Sequence, residues 1–460
     1  MRLFNTLTRE KATFDPLAAG QARIYSCGPT VYDHQHIGNL RTYLFVDLLR
    51  RVLEDAGYAV KSVINITDVG HLTSDADTGE DKMEVGARRA GKSAWEIAAH
   101  YTSIFQDDLR KLQVKDPDVW CKATEHIPEM IALIQDIEEK GFTYPTEDGI
   151  YFDTSMLPDY GELARLDLAG QQAGARVDVA EGKKNPQDFA LWKLSPAGSK
   201  RQMEWDSPWG RGFPGWHIEC SAMSVKYLGL PFDIHTGGID HIPVHHTNEI
   251  AQTKAASGEM LARWWLHGAF LDFKGEKMSK SKGTFTVLDD IVDDGYDPMA
   301  FRYMTYQAHY RTKLDFRPEV LAAQAAGLKR LHETFAALPA EDGAAPHGGT
   351  MERFRSALRD DLNAPQALAA VWEASRDEKL SAAVRRATLL AMNAVLPMGL
   401  EGVEARVEEG PTAEVLALLE QRNAARRARD FGAADRLRDE ITALGYEIRD
   451  SAQGSTVVRR

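Results

Sequence analysis

Short apolar runs and helically spaced apolar positions alternate through the first third of the chain. Ala22-Arg23-Ile24-Tyr25-Ser26-Cys27 reads as a strand that stops at Gly28-Pro29. Leu40, Leu44, Phe45, Leu48, Leu49 and Val52 then keep the spacing of one helix face until Gly57, a residue suited to the left-handed position just past a helix. Residues 60–66, rich in β-branched side chains, supply the next strand. Strand, helix and strand within about 45 residues make a βαβ unit, the seed of a parallel sheet that takes ligands at the carboxyl ends of its strands.

From 116 to 207 the pattern loses its regularity and fills with Pro, Gly and charge, as an insertion into the sheet domain would. A second apolar block runs from Gly215 through Phe232, Asp233 and Ile234 to Ala251 and returns to the sheet. Beyond Pro318 the chain is helical and Ala-rich, broken by a loop at 341–349. A last unit begins near Pro411 with a helix bearing Val415, Leu418 and Leu419.

Composition narrows the class. With 460 residues, 43% hydrophobic and 27% charged, the chain is multidomain globular material and neither disordered nor a disulfide-stapled miniprotein. Cys27, Cys121 and Cys220 lie far apart, an odd and sparse set that fits a reducing compartment. The first seven residues lack the apolar core of a signal peptide, and no run reaches the roughly 18 apolar residues of a membrane span, so a soluble, cytoplasmic chain is expected. The formal charge of −13 argues against a generic polyanion binder. Locally the balance reverses: from Gln421 onward nine arginines (422, 426, 427, 429, 436, 438, 449, 459 and 460) stand against six acidic residues. Such arginines suit phosphates and unpaired bases, or else pair with acids along an exposed helix.

Three constellations carry chemistry. His36-Ile37-Gly38-Asn39 falls at the strand-to-helix turn, where free N–H groups and the helix dipole suit phosphates; it reads equally as a helix cap with a surface histidine. Lys277-Met278-Ser279-Lys280-Ser281-Lys282-Gly283 is a cationic loop fit to follow a departing pyrophosphate, and taken alone also reads as a solvated basic loop. Together the two face one reaction, attack on an α-phosphate with pyrophosphate leaving. The third is metal-like: His245 and Glu249 share a helix face at i, i+4, and Cys220 and Cys27 could complete a tetrahedral set, although their long separations do not prove that they converge.

Over essentially its whole length the sequence resembles cysteinyl-tRNA synthetases, a family of class I aminoacyl-tRNA synthetases. The resemblance rests on residues 27–33 running into His36-Ile37-Gly38-Asn39, on Asn65-Ile66-Thr67-Asp68, on residues 215–223, on Phe232-Asp233-Ile234-His235, on His245-His246 and residues 248–252, and on Lys277-Met278-Ser279-Lys280-Ser281. It implies an α/β fold in which a Rossmann-like parallel-sheet catalytic domain (1–115 and 208–250) is interrupted by a connective insertion (116–207). A connecting domain with the lysine loop (251–317), a helical bundle (318–400) and a small anticodon-binding domain (401–460) follow. It implies a cysteine–tRNA ligase, a monomer working on L-cysteine, ATP with Mg2+, and tRNA(Cys). Cys27, Cys220, His245 and Glu249 would hold one Zn2+ that binds the substrate sulfur. Gly28, Thr67 and Trp216 would line the amino-acid site. Thr30, Gly38, Gly237, Gly238 and Asp240 would bind ATP together with His36, Asn39, Lys277 and Lys280, the four residues that would stabilise charge during activation.

The chain also departs from the family's pattern. Val69-Gly70-His71 leads into an extra stretch reaching Lys82, Thr236 and Thr247 replace the more usual Gly and Glu, and Val457-Val458-Arg459 stands where an aromatic is common. Two rivals share the catalytic blocks: a ligase joining cysteine to an amino sugar, which generally lacks the RNA-reading tail, and a non-catalytic zinc- and RNA-binding paralogue.

Overall fold

The computed structural model describes residues 1–70, 81–166, 182–196, 198, 201–277, 285–341, 343–404, 412–451 and 454–459. They form two compact units, Met1–Val403 and Glu404–Arg460.

In the first unit the predicted βαβ seed is present as β1 (Gln21–Ser26), α1 (Ile37–Asp55) and β2 (Ala59–Ile66). His36 caps α1, its ring accepting the Asn39 N–H at 3.1 Å, and Gly57 takes the left-handed conformation (φ 91°) that turns the chain into β2. The sheet is completed by β3 (Val119–Lys122), then, after α2 (Trp216–Leu228), by β4 (Phe232–Gly238) and, after α3 (His245–Ser257), by β5 (Ala262–Gly268). All pairings are parallel and the order is β5-β4-β1-β2-β3. The order reverses between β1 and β4, so the crevice beyond their carboxyl ends is where such a sheet binds ligands.

The sheet is buried on both faces. Ala22 and Ile24 of β1 and Trp264 and Leu266 of β5 join a core with the helices Gly348–Arg359, Ala364–Arg376 and Ala382–Val395. Tyr25 and Trp265, pointing the other way, join a core with α2, α3 and the helix Ile127–Glu139. Two strands fall outside the limits expected for the sheet domain: β3 lies within the segment read as insertion and β5 within the one read as connecting domain. The stretch read as irregular contains three strands, Thr143–Thr146, Gly149–Phe152 and Phe189–Leu194, of a four-stranded antiparallel sheet that Gly212–Pro214, just beyond it, completes.

One buried charge cluster ties α1 to the helix Pro298–Thr305. Asp47, on α1, accepts from Arg51 Nε at 2.7 Å, from the Lys115 N–H at 2.9 Å and from Arg302, whose side chain is also fully buried. Burial pushes the Asp47 carboxyl up, but the guanidinium groups of Arg302 and Arg51 outweigh it and hold the carboxyl below its usual range. Arg302 also donates to the Leu112 carbonyl at 2.7 Å, so the cluster joins three segments.

The second unit packs the helices Ala413–Arg427 and Phe431–Ala443 and the hairpin Tyr446–Ser451/Gly454–Arg459 around Val415, Leu419, Ile441 and Tyr446. Its arginines are not equivalent: Arg422 is buried and donates to Ser455 Oγ at 3.3 Å, whereas Arg438 pairs along its helix with Asp435. No helix of the described residues is long and apolar enough to cross a membrane.

Removing one partner of a buried ion pair strands the other charge. Asp47→Ala is therefore expected to cost about 3–5 kcal/mol, read as a lower denaturant midpoint for the first unit, whereas Asp435→Ala on the exposed helix should shift nothing measurable.

Candidate active site and metal centre

The strand ends build the site in layers. Just past β1, the Cys27 N–H donates to the Thr236 carbonyl of β4 at 3.2 Å, which seats Cys27 at the point where the strand order reverses. Gly28 follows at the closest approach in the sheet: a Cβ here would lie 1.5 Å from the Asn65 carbonyl oxygen of β2, so any side chain would force β1 and β2 apart. The Gly28 N–H donates to Asn65 Oδ1 at 2.7 Å, Asn65 Nδ2 donates to Thr67 Oγ1 at 3.1 Å, and the Thr67 hydroxyl donates to Glu219 Oε2 at 3.0 Å. Asn65 and Thr67, two apart, share one face and reach α2, while Asp68 turns away and accepts from the Thr124 N–H and hydroxyl at 2.9 and 2.7 Å.

Beside this ladder the four metal candidates meet. Cys27, Cys220, His245 and Glu249 place one ligand atom each within 4.8 Å of the others, all buried. The spacing of the sulfur pair suits a tetrahedral ion. An ion about 2.3 Å from each sulfur would separate the sulfurs by about 3.8 Å, and Cys27 Sγ and Cys220 Sγ stand 3.9 Å apart. Glu249 Oε1 lies 3.8 Å from Cys27 Sγ and 3.0 Å from His245 Nε2. The other carboxylate oxygen, Oε2, is bonded to His235 Nε2 at 2.7 Å, and His245 Nδ1 lies 2.9 Å from His217 Nδ1, so neighbours fix both side chains without using the inward atoms.

A second, overlapping set of Cys27, His235, His246 and Glu249 also converges. Its His235–Glu249 contact of 2.7 Å departs further from the edge of roughly 3.3 Å between two ligands on one tetrahedral ion than the 3.0 Å between His245 and Glu249 does. His246 Nε2 stands 3.2 Å from Cys27 Sγ, while its Nδ1 is 2.8 Å from His267 Nε2, and His267 Nδ1 is 2.8 Å from Thr6 Oγ1.

The electrostatics are ordered by Glu249. Burial would neutralise it, but His235 and His245 hold its carboxyl far below the usual range. Burial opposes charge on His245 as well, yet Glu249 and Cys220 raise that imidazole to about 10. Cys220 is brought down to about 7, chiefly by its contact with Cys27, whose own thiol is pushed up by burial and by Cys220. One sulfur of the pair is thus favoured as thiolate, the form a soft metal binds.

A cleft of about 270 Å³ opens over this centre. Cys27, Gly28, Thr30, His36, Asn39, Trp216, Gly238 and Asp240 line it. Trp216, at the start of α2, lies with its ring centroid 4.7 Å from that of His245, joining the cleft wall to the metal candidates. Asn39 Nδ2 donates to Gln35 Oε1 at 2.7 Å, and a Cβ at Gly38 would sit 2.8 Å from His36 Nδ1. Thr67 and Gly237 lie behind the wall, Thr67 bonded to Glu219 and Gly237 against the His241 and His246 rings. The residues that sequence reasoning singled out thus divide between the cleft surface and its backing. Lys280 and the Lys277 side chain lie outside the described residues, as does the extra stretch at 71–80. Of the departures, Thr236 donates to Ser26 Oγ at 2.7 Å and Thr247 to the Ile242 carbonyl at 2.7 Å, so both serve local packing. Sequence reasoning did not single out Tyr32, Gln35, Tyr43, His241 and Phe285 of the cleft wall, nor the supporting His217 and His267. The continuity of residues 27–36 was the available signal for Tyr32 and Gln35.

The architecture has solved counterparts. A methionyl-tRNA synthetase of Mycobacterium tuberculosis bound by methionyl-adenylate shares the fold at a TM-score of 0.55 and 16% identity, over 82% of this chain and 92% of that one. Residues 13–326 match the family model for the tRNA synthetase class I (C) catalytic domain, which defines the class. Residues 409–457 match the cysteinyl-tRNA ligase anticodon binding domain. The cysteine–tRNA ligase 1 of Burkholderia lata is 53% identical over 99% of this chain and 96% of its own length, and the cysteine–tRNA ligase of Novosphingobium aromaticivorans 47% identical over 98% and 95%. The chain belongs to the cysteine–tRNA ligase family.

Cys220→Ala and Glu249→Gln each remove a candidate ligand and are expected to abolish tightly bound metal after dialysis, as read by elemental analysis. A full metal complement in both variants would refute the set. Gly28→Ala should also lose metal, because relieving its contact with Asn65 displaces Cys27.

Proposed function

We propose that the chain is a cysteine–tRNA ligase: it activates L-cysteine with ATP, accompanied by Mg2+, to cysteinyl-adenylate and passes the acyl group to the 3′-terminal adenosine of tRNA(Cys). It would do so in the cytoplasm and as a monomer, as the family resemblance implies. The observation that carries the reading is the meeting of Cys27, Cys220, His245 and Glu249 directly beneath a cleft whose rim holds His36, Asn39, Gly238 and Asp240.

Those four residues would hold zinc, which when bound supplies a soft Lewis acid that favours a thiolate over the hydroxyl of serine or the methyl of alanine. A pocket relying on shape alone separates such analogues by only about 1–3 kcal/mol, so a sulfur-selective donor set supplies what shape does not. Trp216 and the Gly28 backbone would bound the substrate's body. At the other end of the cleft, His36 at the positive end of α1 would donate to the α-phosphate as charge develops, and Asp240 would accept from a ribose hydroxyl. Lys277 and Lys280 would follow the departing pyrophosphate. Charge stabilisation and positioning suffice for this chemistry, and no protein nucleophile is required.

The match of residues 409–457 to an anticodon-binding domain favours RNA over an amino sugar as the acyl acceptor. The test is cysteine-dependent ATP–pyrophosphate exchange followed by charging of tRNA. Both should occur. Absence of exchange would refute the enzyme reading, and exchange without charging would favour the amino-sugar ligase. His36→Ala should lower the exchange kcat by about 10²–10³ while leaving metal content intact.

A further inference from the structure

The loop between the helices Gly348–Arg359 and Ala364–Arg376 carries two consecutive residues, Asp361 and Leu362, with left-handed backbones (φ 63° and 56°). Neither is glycine, and both are buried. Asp tolerates this conformation through its short polar side chain, but Leu has no such relief, and strain of this kind persists only where the surroundings over-determine it. The Asp361 N–H donates to the Arg2 carbonyl at 2.9 Å. Asp361 Oδ1 accepts from the Phe4 N–H and the Tyr310 hydroxyl, both at 2.9 Å, and Oδ2 accepts from Arg311 Nε and Nη2 at 2.9 and 2.7 Å. Leu362 lines a cavity of about 20 Å³ with Arg41, Leu44, Phe45 and Leu48 of α1. Neither Asp361 nor its partners line the active-site cleft.

The segment that Asp361 grips nevertheless leads to that cleft. Tyr310 stacks on Phe45 of α1 with ring centroids 5.0 Å apart, and its carbonyl accepts the Ala269 N–H at 2.8 Å. Arg41 of α1 donates to the carbonyls of His309 and Thr312 on one side and to those of Ala269 and Phe270 on the other. The Leu314 N–H closes the circuit on the Phe270 carbonyl at 3.2 Å. We propose that Asp361 is a positioning residue for the activation reaction. By holding Tyr310 and Arg311 it fixes residues 309–312, against which Arg41 registers both α1, with His36 at its start, and the base of the hairpin Leu271–Phe273/Glu276–Lys277. The inference rests on the ligase reading above and adds a residue of the helical bundle to the first step of that reaction.

A competing route runs through Phe4. The strand Arg2–Asn5 leads to Thr6, which contacts His267, and His267 contacts His246 beside Cys27. The two routes differ in the substrate they serve. The first acts on the nucleotide side of the cleft and leaves the metal candidates on β1, α2 and α3 in place, whereas the second disturbs the metal and the cysteine.

The experiment uses the full chain with Asp361→Gly, Asp361→Asn and Tyr310→Phe. It reads amide hydrogen exchange at Ala269, bound metal by elemental analysis, and cysteine-dependent ATP–pyrophosphate exchange. Asp361→Gly removes the carboxylate while keeping a left-handed backbone without strain, and Asp361→Asn keeps an oxygen for Phe4 and Tyr310. Expected for Asp361→Gly are about tenfold faster amide exchange at Ala269 and a fall of about tenfold in the pyrophosphate-exchange kcat, with metal content and the KM for cysteine within about twofold of the unsubstituted protein. Asp361→Asn should recover kcat to within about threefold, and Tyr310→Phe, which keeps the stack and loses the hydroxyl, should lower it by about threefold or more. An unchanged kcat in Asp361→Gly, or an Ala269 amide as protected as before, would overturn the proposal. So would loss of metal or a raised KM for cysteine, which would assign Asp361 to the Phe4 route. Should Asp361→Gly fail to fold, the near-isosteric Tyr310→Phe decides, and an unchanged kcat there overturns the proposal. Pyrophosphate exchange absent already from the unsubstituted protein would overturn the ligase reading itself, a failure that the amide readout, independent of activity, keeps separate.

Discussion

A carboxylate with no exposure must be compensated where it stands, and Glu249 is the group around which the rest of the site is arranged. Its two oxygens are assigned to different neighbours, Oε2 to His235 on β4 and Oε1 to His245 one turn away on α3. That division requires β4 and α3 to meet at one angle and depth. His235 is held between Tyr25 and the stacked Trp265 ring, side chains from the two strands flanking β4. The aromatic core on that face of the sheet therefore orients the carboxylate, and the carboxylate orients the imidazole and the two sulfurs.

The sheet's strand order accounts for the convergence. β1 and β4 are neighbours although some two hundred residues lie between Cys27 and Cys220, because the chain leaves the middle of the sheet in one direction and returns to fill the other. Gly28 makes this work at the backbone level. Its close approach to Asn65 brings the exits of β1 and β2 together, and the ladder from Gly28 through Asn65 and Thr67 to Glu219 carries the same constraint into α2, one residue before Cys220.

What was legible in the sequence follows from this. The unit β1-α1-β2 shows itself because its apolar periods are long and clean and Gly57 marks the turn. β3 is four residues among prolines and charges, and its burial is completed by β2, by Phe105 against Trp120 and by the core around Cys121 rather than by any pattern of its own. The antiparallel sheet in the insertion hides for a similar reason: Pro145, Gly149, Gly212 and Pro214 sit inside its strands and read as turn signals. In the site, helical spacing puts His245 on the face of Glu249 but does not separate it from His246, since i+3 and i+4 both face Glu249, at 3.9 and 3.0 Å. The distinction lies in the remaining ring nitrogens, one turned to His217 and the other to His267, and those partners come from elements distant in the chain.

The described residues on either side of the lysine loop are positioned by α1 although they lie far from it in sequence. On one side, Asp272 and Phe273 pair with Lys277 and Glu276 in a hairpin, and the strand Leu271–Phe273 runs parallel to Leu314–Phe316. Downstream of the loop, the Ile37 N–H donates to the Thr286 carbonyl at 2.9 Å and His36 bridges to Val287. Arg41, one turn further along α1, donates to the carbonyls of Ala269, Phe270, His309 and Thr312 at 2.9, 2.6, 3.4 and 2.7 Å. Burial lowers its guanidinium to about 10, with Asp272 opposing, so the residue keeps its charge while serving backbone acceptors alone. The helix that presents His36 and Asn39 to the cleft thus also fixes the base of the hairpin entering the loop and the residues leaving it. The turn at His36 and the residues flanking the lysine loop, some 240 residues apart in the chain, consequently share one reference, as a reaction governed by positioning requires.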